Sequence, residues 1–266
     1  MHRESWPRFT TENRSALKSS ARKSRRCLKY PFCDMSKIIP IDGDKIRLPG
    51  ASDRITIVGR TGSGKTMAAL WHLSHANFHR QPWIVIDPKI EETINSIDGA
   101  IQYDMESSQL PKRPGIYIVH PRPTEDGLKQ LNEFLLSIWE HENIGVYCDE
   151  GYLYADGDGF VSCLTQGRSK HIPMIICSQR PVMISRFCFS EANFFQVFSL
   201  NDKRDRAVVK GFVPLEKNFE QKEFFSWYYD VSKNRLFQMA PVPPANELVG
   251  RIEDRLEVVK PSVRRM

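Results

Sequence analysis

From about residue 52 onward, short β-branched runs alternate with stretches whose apolar residues recur at helical spacing. Arg54–Val58 (RITIV), Trp83–Ile86 (WIVI), Gly115–Val119 (GIYIV), Asn143–Cys148 (NIGVYC) and Pro173–Cys177 (PMIIC) predict strands, and Phe194–Ser199 (FFQVFS) a sixth. Helices are predicted over Lys65–Ala76, Thr124–His141, Phe160–Ser169 and Asn201–Lys210. In Thr124–His141 the residues Leu128, Leu131, Phe134, Leu135, Ile138 and Trp139 fall at helical spacing. A last amphipathic helix, Glu247–Val259, carries Leu248, Ile252, Leu256 and Val259 and follows the Pro-rich stretch Pro241–Pro244. The strands are apolar on both faces, as a sheet covered on both sides requires, and strands alternating with helices call for crossover connections. The pattern therefore predicts an α/β fold with a mainly parallel central sheet and helices on both faces.

Composition narrows this picture. At 266 residues, 41% hydrophobic, the chain can bury a core without staples, which excludes collagen-like, mucin-like and wholly disordered classes. No apolar run is long enough for a transmembrane segment, so a soluble protein is expected. The net charge of +6 is concentrated in residues 1–34, where nine Lys/Arg face three acidic residues; the remainder is formally neutral. The expected organisation is a basic, disordered arm (1–35), a globular body (36–240), and a Pro-rich linker with the C-terminal helix (241–266). The arm is open to several readings: a binder of nucleic acid or anionic membrane, a solvated leader, a transit-like segment, or sequence preceding a natural start at Met35. The cysteines (Cys27, Cys33, Cys148, Cys163, Cys177, Cys188) form no C-x-x-C pair and have no His at zinc spacing, so free thiols in a reducing compartment are expected.

The chemistry is concentrated between the first strand and helix. Gly59-Arg60-Thr61-Gly62-Ser63-Gly64-Lys65-Thr66 fits G-x-x-x-x-G-K-[ST] in full. Its glycines let successive backbone N–H groups turn onto one phosphate, and the following helix adds its positive end. Lys65 is expected to reach the β- and γ-phosphates of ATP and Thr66 to ligate Mg²⁺. A strand running in and a helix running out set this motif apart from an ordinary Gly-rich turn.

Three further positions are candidates. Asp149-Glu150 closes the strand NIGVYC: a carboxylate there can hold the metal (Asp149), and its neighbour can take a proton from attacking water (Glu150). The alternative is a helix N-cap beside an exposed acid. Gln179, in Ser178-Gln179-Arg180-Pro181, follows the next strand and is either a γ-phosphate sensor or plain loop polarity. No cis-acting cation beyond Lys65 is evident, which leaves room for an arginine from a neighbouring subunit. Arg168 is either that arginine or a charge stabilising a helix end.

The ordered series IVGRTGSGKT, IVIDPK, VYCDE, QGRSKHIPMIICSQRP and SLNDKRDRAVV resembles the FtsK/HerA superfamily of DNA-pumping ATPases, over about residues 54–211. In that family Asp-Pro-Lys (here Asp87-Pro88-Lys89), an Asp-Glu pair, an arginine-finger segment (here Gln166–Ile172, with Arg168 as the finger) and a Gln-Arg-Pro strand end occur in this order. The resemblance implies a RecA-like P-loop NTPase of the additional-strand, catalytic-Glu type. The membrane helices and DNA-reading winged helix of chromosome translocases, and the additions of archaeal helicases, have no counterpart in this sequence. What is left is similar to the genome-packaging ATPases of internal-membrane icosahedral viruses and phages.

That implies a homo-oligomeric, hexameric ring on double-stranded DNA at a capsid vertex, located in the virion or host cytoplasm. ATP and Mg²⁺ would bind between subunits, with catalytic roles for Lys65, Glu150, Arg168 and Gln179. Arg180, Arg186, Lys203, Arg204 and Arg206 are candidates for DNA phosphates; for the last three a solvated helix face is the alternative. Rival readings are a conjugation-type or cellular DNA-transfer ATPase, a filamentous-phage assembly ATPase, and a nucleotide-binding switch without turnover.

Overall fold

Among the described residues seven strands run parallel, in the order β3-β4-β2-β5-β6-β1-β7, and an antiparallel hairpin, β8-β9, extends the sheet beyond β7. The strands are β1 (Arg54–Val58), β2 (Pro82–Ile86), β3 (Ile101–Gln102), β4 (Gly115–Val119), β5 (Gly145–Cys148), β6 (Met174–Ser178), β7 (Phe194–Val197), β8 (Ser226–Asp230) and β9 (Arg235–Met239). The helices are α1 (Lys65–His75), α2 (Glu92–Asn95), α3 (Glu125–His141), α4 (Asp158–Gln166), α5 (Phe187–Ser190), α6 (Lys203–Lys210) and α7 (Ala245–Glu257). This computed structural model describes residues 46–106, 109–215 and 222–258. The arm expected over 1–35 lies outside them, as do Cys27 and Cys33. Among the described residues no helix is long and apolar enough to cross a membrane.

The period of two along each strand sorts side chains to two helical layers. Ile84, Ile86, Val146, Cys148, Met174 and Ile176 form one core with Leu131, Phe134, Leu135 and Ile138 of α3 and Phe160, Cys163 and Leu164 of α4. Ile55, Ile57, Val85, Ile175 and Cys177 take the alternate positions and are buried on the face covered by α1. Thr124 caps α3, its side chain accepting from the Gly127 N–H at 3.2 Å, with Glu125 and Asp126 complementing the helix's positive end.

α7 packs against α1, burying Leu248, Ile252 and Leu256. Arg255 of α7 donates to the carbonyls of Ser74 and Ala76 at the end of α1 and stacks over Phe78, 4.6 Å from the ring centroid. The phosphate-loop helix is thus held at its carboxyl end by the C-terminal helix. Cys148, Cys163, Cys177 and Cys188 are buried free thiols.

Candidate active site

All parallel strands share one carboxyl-end rim, and the motif residues converge there. β6 lies between β1 and β5, so one strand separates the phosphate-loop strand from the strand carrying the acidic pair. Gly59, Asp87, Asp149 and Ser178 each end or immediately follow one of the adjacent strands β1, β2, β5 and β6. This is the crevice position where open α/β sheets take their ligands.

The phosphate loop is tied to its neighbours by backbone bonds: Gly59 N–H to Ser178 O at 3.3 Å and Arg60 N–H to Ser199 O at 2.8 Å. Gly62 (φ 72°) and Gly64 (φ 99°) are in the left-handed region, which a Cβ disfavours, and Gly64 leads directly into α1. Thr61 and Gly62 are exposed, while Ser63 and Lys65 are buried, with Thr66 partly so. The Lys65 ammonium donates to Arg60 O at 3.0 Å, and burial lowers its pKa. The Ser63 hydroxyl is buried without a partner.

Asp149 is 4% exposed, and its carboxyl is pushed up to about 6, first by burial and then by the charge of Glu150. Its backbone is pinned by Asp149 N–H to Ile86 O (3.0 Å) and by the Tyr154 hydroxyl donating to Asp149 O. Glu150 is also buried and sits at φ 51°, a left-handed conformation unusual for a residue with a Cβ. One of its oxygens pairs with the Lys89 ammonium; the other, Oε2, is buried without a partner. Gln179 is brought to the phosphate loop, its Oε1 accepting from the Thr61 hydroxyl.

Lys89 is the residue that sequence reasoning left without a role. It was legible only as part of Asp87-Pro88-Lys89. The strand order supplies the signal, since β2 neighbours β5 and the turns that follow their carboxyl ends, which carry Lys89 and Glu150, therefore meet. Asp87, fully buried, builds that turn by accepting from the N–H groups of Lys89 (3.2 Å) and Glu91 (2.8 Å) and from the Asn95 amide (2.9 Å). His120 braces it, with its ring nitrogens at Asp87 O (2.7 Å) and Asn95 Oδ1 (3.1 Å).

Arg168 is not part of this cluster. It is exposed, just past α4, and close enough to the buried Arg54 for their charges to interact. Arg54 opens β1 at the opposite rim, and the four steps of β1 span about 13 Å before the phosphate loop begins. The other candidate cations differ in their surroundings. Arg180 faces Asp202 (3.7 Å) and Asp205 (3.4 Å), Arg206 donates to Leu200 O (3.0 Å), and Lys203, Arg204 and Lys210 are exposed on α6.

No protein-family model matches the chain. A curated relative, the DNA packaging ATPase P9 of Enterobacteria phage PRD1, is 47% identical over 219 residues, covering 78% of this chain and 95% of the relative. Among solved structures, the genome packaging NTPase B204 of Sulfolobus turreted icosahedral virus 2, in complex with ATP-γS, superposes with a TM-score of 0.58 at 16% identity. That match covers 73% of this chain and all of B204. The pCW3 conjugation coupling protein TcpA superposes with a TM-score of 0.52 at 14% identity, covering 75% of this chain and 64% of TcpA. These two likenesses establish a shared fold. The relation to P9, which spans nearly all of that protein, establishes the family: the chain belongs to the viral DNA packaging ATPases.

Proposed function

We propose that the chain is an ATP-driven translocase of double-stranded DNA, working as a hexameric ring at a virion's packaging vertex with ATP bound between subunits. The observation that carries this reading is the division of the site. Lys65, Thr66, Asp149, Glu150 and Gln179 lie on or beside one rim of the sheet, and Arg168 on the other. An arginine at the far rim cannot serve its own phosphate loop, but in a head-to-tail ring it faces the next subunit's loop.

The residues fit Mg·ATP. A buried hydroxyl (Ser63) and a buried carboxylate oxygen (Glu150 Oε2) without partners, beside a second buried carboxylate, form a donor set suited to a hard cation and a hydrated phosphate. Thr66 and Asp149 would hold Mg²⁺, which when bound neutralises charge on the β- and γ-phosphate oxygens. The backbone of Gly59–Thr66 cradles the phosphates, and Lys65 places its charge on them. Glu150, once released by Lys89, accepts the proton of the attacking water. Gln179 contacts the γ-phosphate from the strand between. Arg168 of the adjacent subunit stabilises the charge that builds in the transition state.

DNA is held through its phosphates by the exposed cations of α6, with Arg186 a further candidate, so affinity falls steeply with salt. Relationship to P9 favours packaging over conjugative transfer or filamentous-phage assembly. Steady-state ATP hydrolysis with and without linear duplex DNA tests the reading. Turnover raised by duplex and absent in Lys65→Ala is expected; turnover indifferent to DNA refutes the translocase.

A further inference from the structure

The segment that follows β6 is bound at both ends. At one end Ser178 and Gln179 touch the phosphate loop, through Ser178 O with the Gly59 N–H (3.3 Å) and Gln179 Oε1 with the Thr61 hydroxyl. At the other end the next residues pack against α6 and are tied to it chiefly through Asp205. Asp205 accepts from the Val182 N–H through Oδ1 (2.9 Å), and its Oδ2 forms an ion pair with the Arg180 guanidinium at 3.4 Å. Asp205 is only 3% exposed, so this carboxylate is spent on the segment and not on solvent. Pro181, between the two contacts, fixes its own φ and restricts Arg180, which leaves the link few ways to deform.

The helix that receives this link has two different faces. Asp205 and Val209, four apart, are buried. Lys203, Arg206, Ala207 and Lys210 are exposed, with Arg204 beside them. Asp202 caps the helix by accepting from the Arg204 N–H at 2.7 Å and adds a longer contact to Arg180 at 3.7 Å. Residues 178–182 thus join Thr61 and Gln179 at one end to Asp205, on the helix that carries the outer-face cations, at the other.

We infer that Asp205 is a positioning residue that couples the nucleotide at the phosphate loop to the grip of the basic helix α6 on DNA. This rests on the reading of the chain as a DNA translocase and adds the residue through which the two ligands communicate. Coupling is reciprocal: if nucleotide state changes DNA affinity, DNA changes nucleotide affinity by the same factor.

The test measures binding of a fluorescent DNA duplex to the full chain, saturated with either ATP-γS or ADP, for wild type, Asp205→Asn and Asp205→Ala. The ratio of the two DNA dissociation constants is expected to be about tenfold in wild type and to fall to within about twofold in Asp205→Ala. Asp205→Asn, which keeps an acceptor for the Val182 N–H and loses the charge facing Arg180, should fall between. Nucleotide affinity without DNA should stay within about twofold of wild type in both variants, which separates uncoupling from misfolding. An unchanged ratio in Asp205→Ala overturns the inference. So does weaker DNA binding with the ratio preserved, which would make Asp205 a mere anchor of the helix. A Lys203→Ala/Lys210→Ala variant identifies the other failure. If it binds DNA as wild type does in both nucleotide states, the assignment of α6 to DNA falls, and the coupling with it.

Discussion

Neutralising Asp149 should make the protein more stable while abolishing its activity. The carboxyl is 4% exposed and has been pushed from 3.8 up to about 6, by burial first and by Glu150 second. A carboxyl that holds its proton more tightly in the folded chain weakens the fold wherever the unfolded chain is ionised. The penalty therefore opens as pH rises past about 4, grows until about 6 and is constant above that. That rise corresponds to about 3 kcal/mol at neutral pH, at ~1.4 kcal/mol per tenfold change in proton affinity. Asp149→Asn removes the penalty with almost no change in shape. In metal-free, nucleotide-free buffer at pH 8 its melting temperature should exceed that of wild type by about 6–12 °C, at ~2–4 °C per kcal/mol for a chain of this size. At pH 4 the gap should close. Mg²⁺ with nucleotide should stabilise wild type and do much less for the variant. Equal or lower melting of the variant at pH 8, or a gap that persists unchanged at pH 4, would refute the assignment of Asp149 as a charge held for a metal.

Two other perturbations follow from the same geometry. Lys89→Met leaves the Glu150 carboxylate buried without its cation and should cost about 1–2 kcal/mol, a figure discounted because Lys89's side chain is 47% exposed. Thermal melts of Lys89→Met, Glu150→Gln and the double variant should show the loss recovered in the double. Arg255→Ala removes the donors to Ser74 O and Ala76 O and the stack over Phe78, and should lower stability by about 1–3 kcal/mol. Urea denaturation reads this directly, with Arg255→Lys keeping part of the effect.

The parallel core of the fold was legible because each of its strands is a short run buried on both faces, and periodicity with β-branched residues marks such runs plainly. The strands RITIV and GIYIV have the same bounds in sequence and structure, and the others shift by a residue or two at their ends. Asn143 was expected inside β5 but has φ 53°, a turn conformation that delays the strand to Gly145. The β8-β9 hairpin was missed for a physical reason. Ser226–Asp230 mixes aromatics with polar ends, and its buried Asp230 is paired with Arg47, whose guanidinium donates at 3.0 Å from 183 residues away in sequence, besides accepting locally from the Ser232 hydroxyl and the Lys233 N–H. β3, two exposed residues on the sheet edge, carries no apolar pattern at all.

At the site, the phosphate loop and the acidic pair were readable as local strings. The link of Gln179 to Thr61 and the pairing of Lys89 with Glu150 join residues 118 and 61 positions apart, and become visible only once the strand order is known. Arg168 shows the converse. Its motif was readable, but only the opposite-rim position explains why it would have to act on a neighbour.

Mixing two inactive variants would decide whether the site is shared. Lys65→Ala retains Arg168, and Arg168→Ala retains the phosphate loop, so each alone should show almost no ATP turnover on duplex DNA. If ATP is hydrolysed between subunits, the mixture contains junctions with an intact loop on one side and an intact arginine on the other, and turnover should reappear. A mixture no more active than its two components would contradict the shared site and return Arg168 to the role of a surface charge.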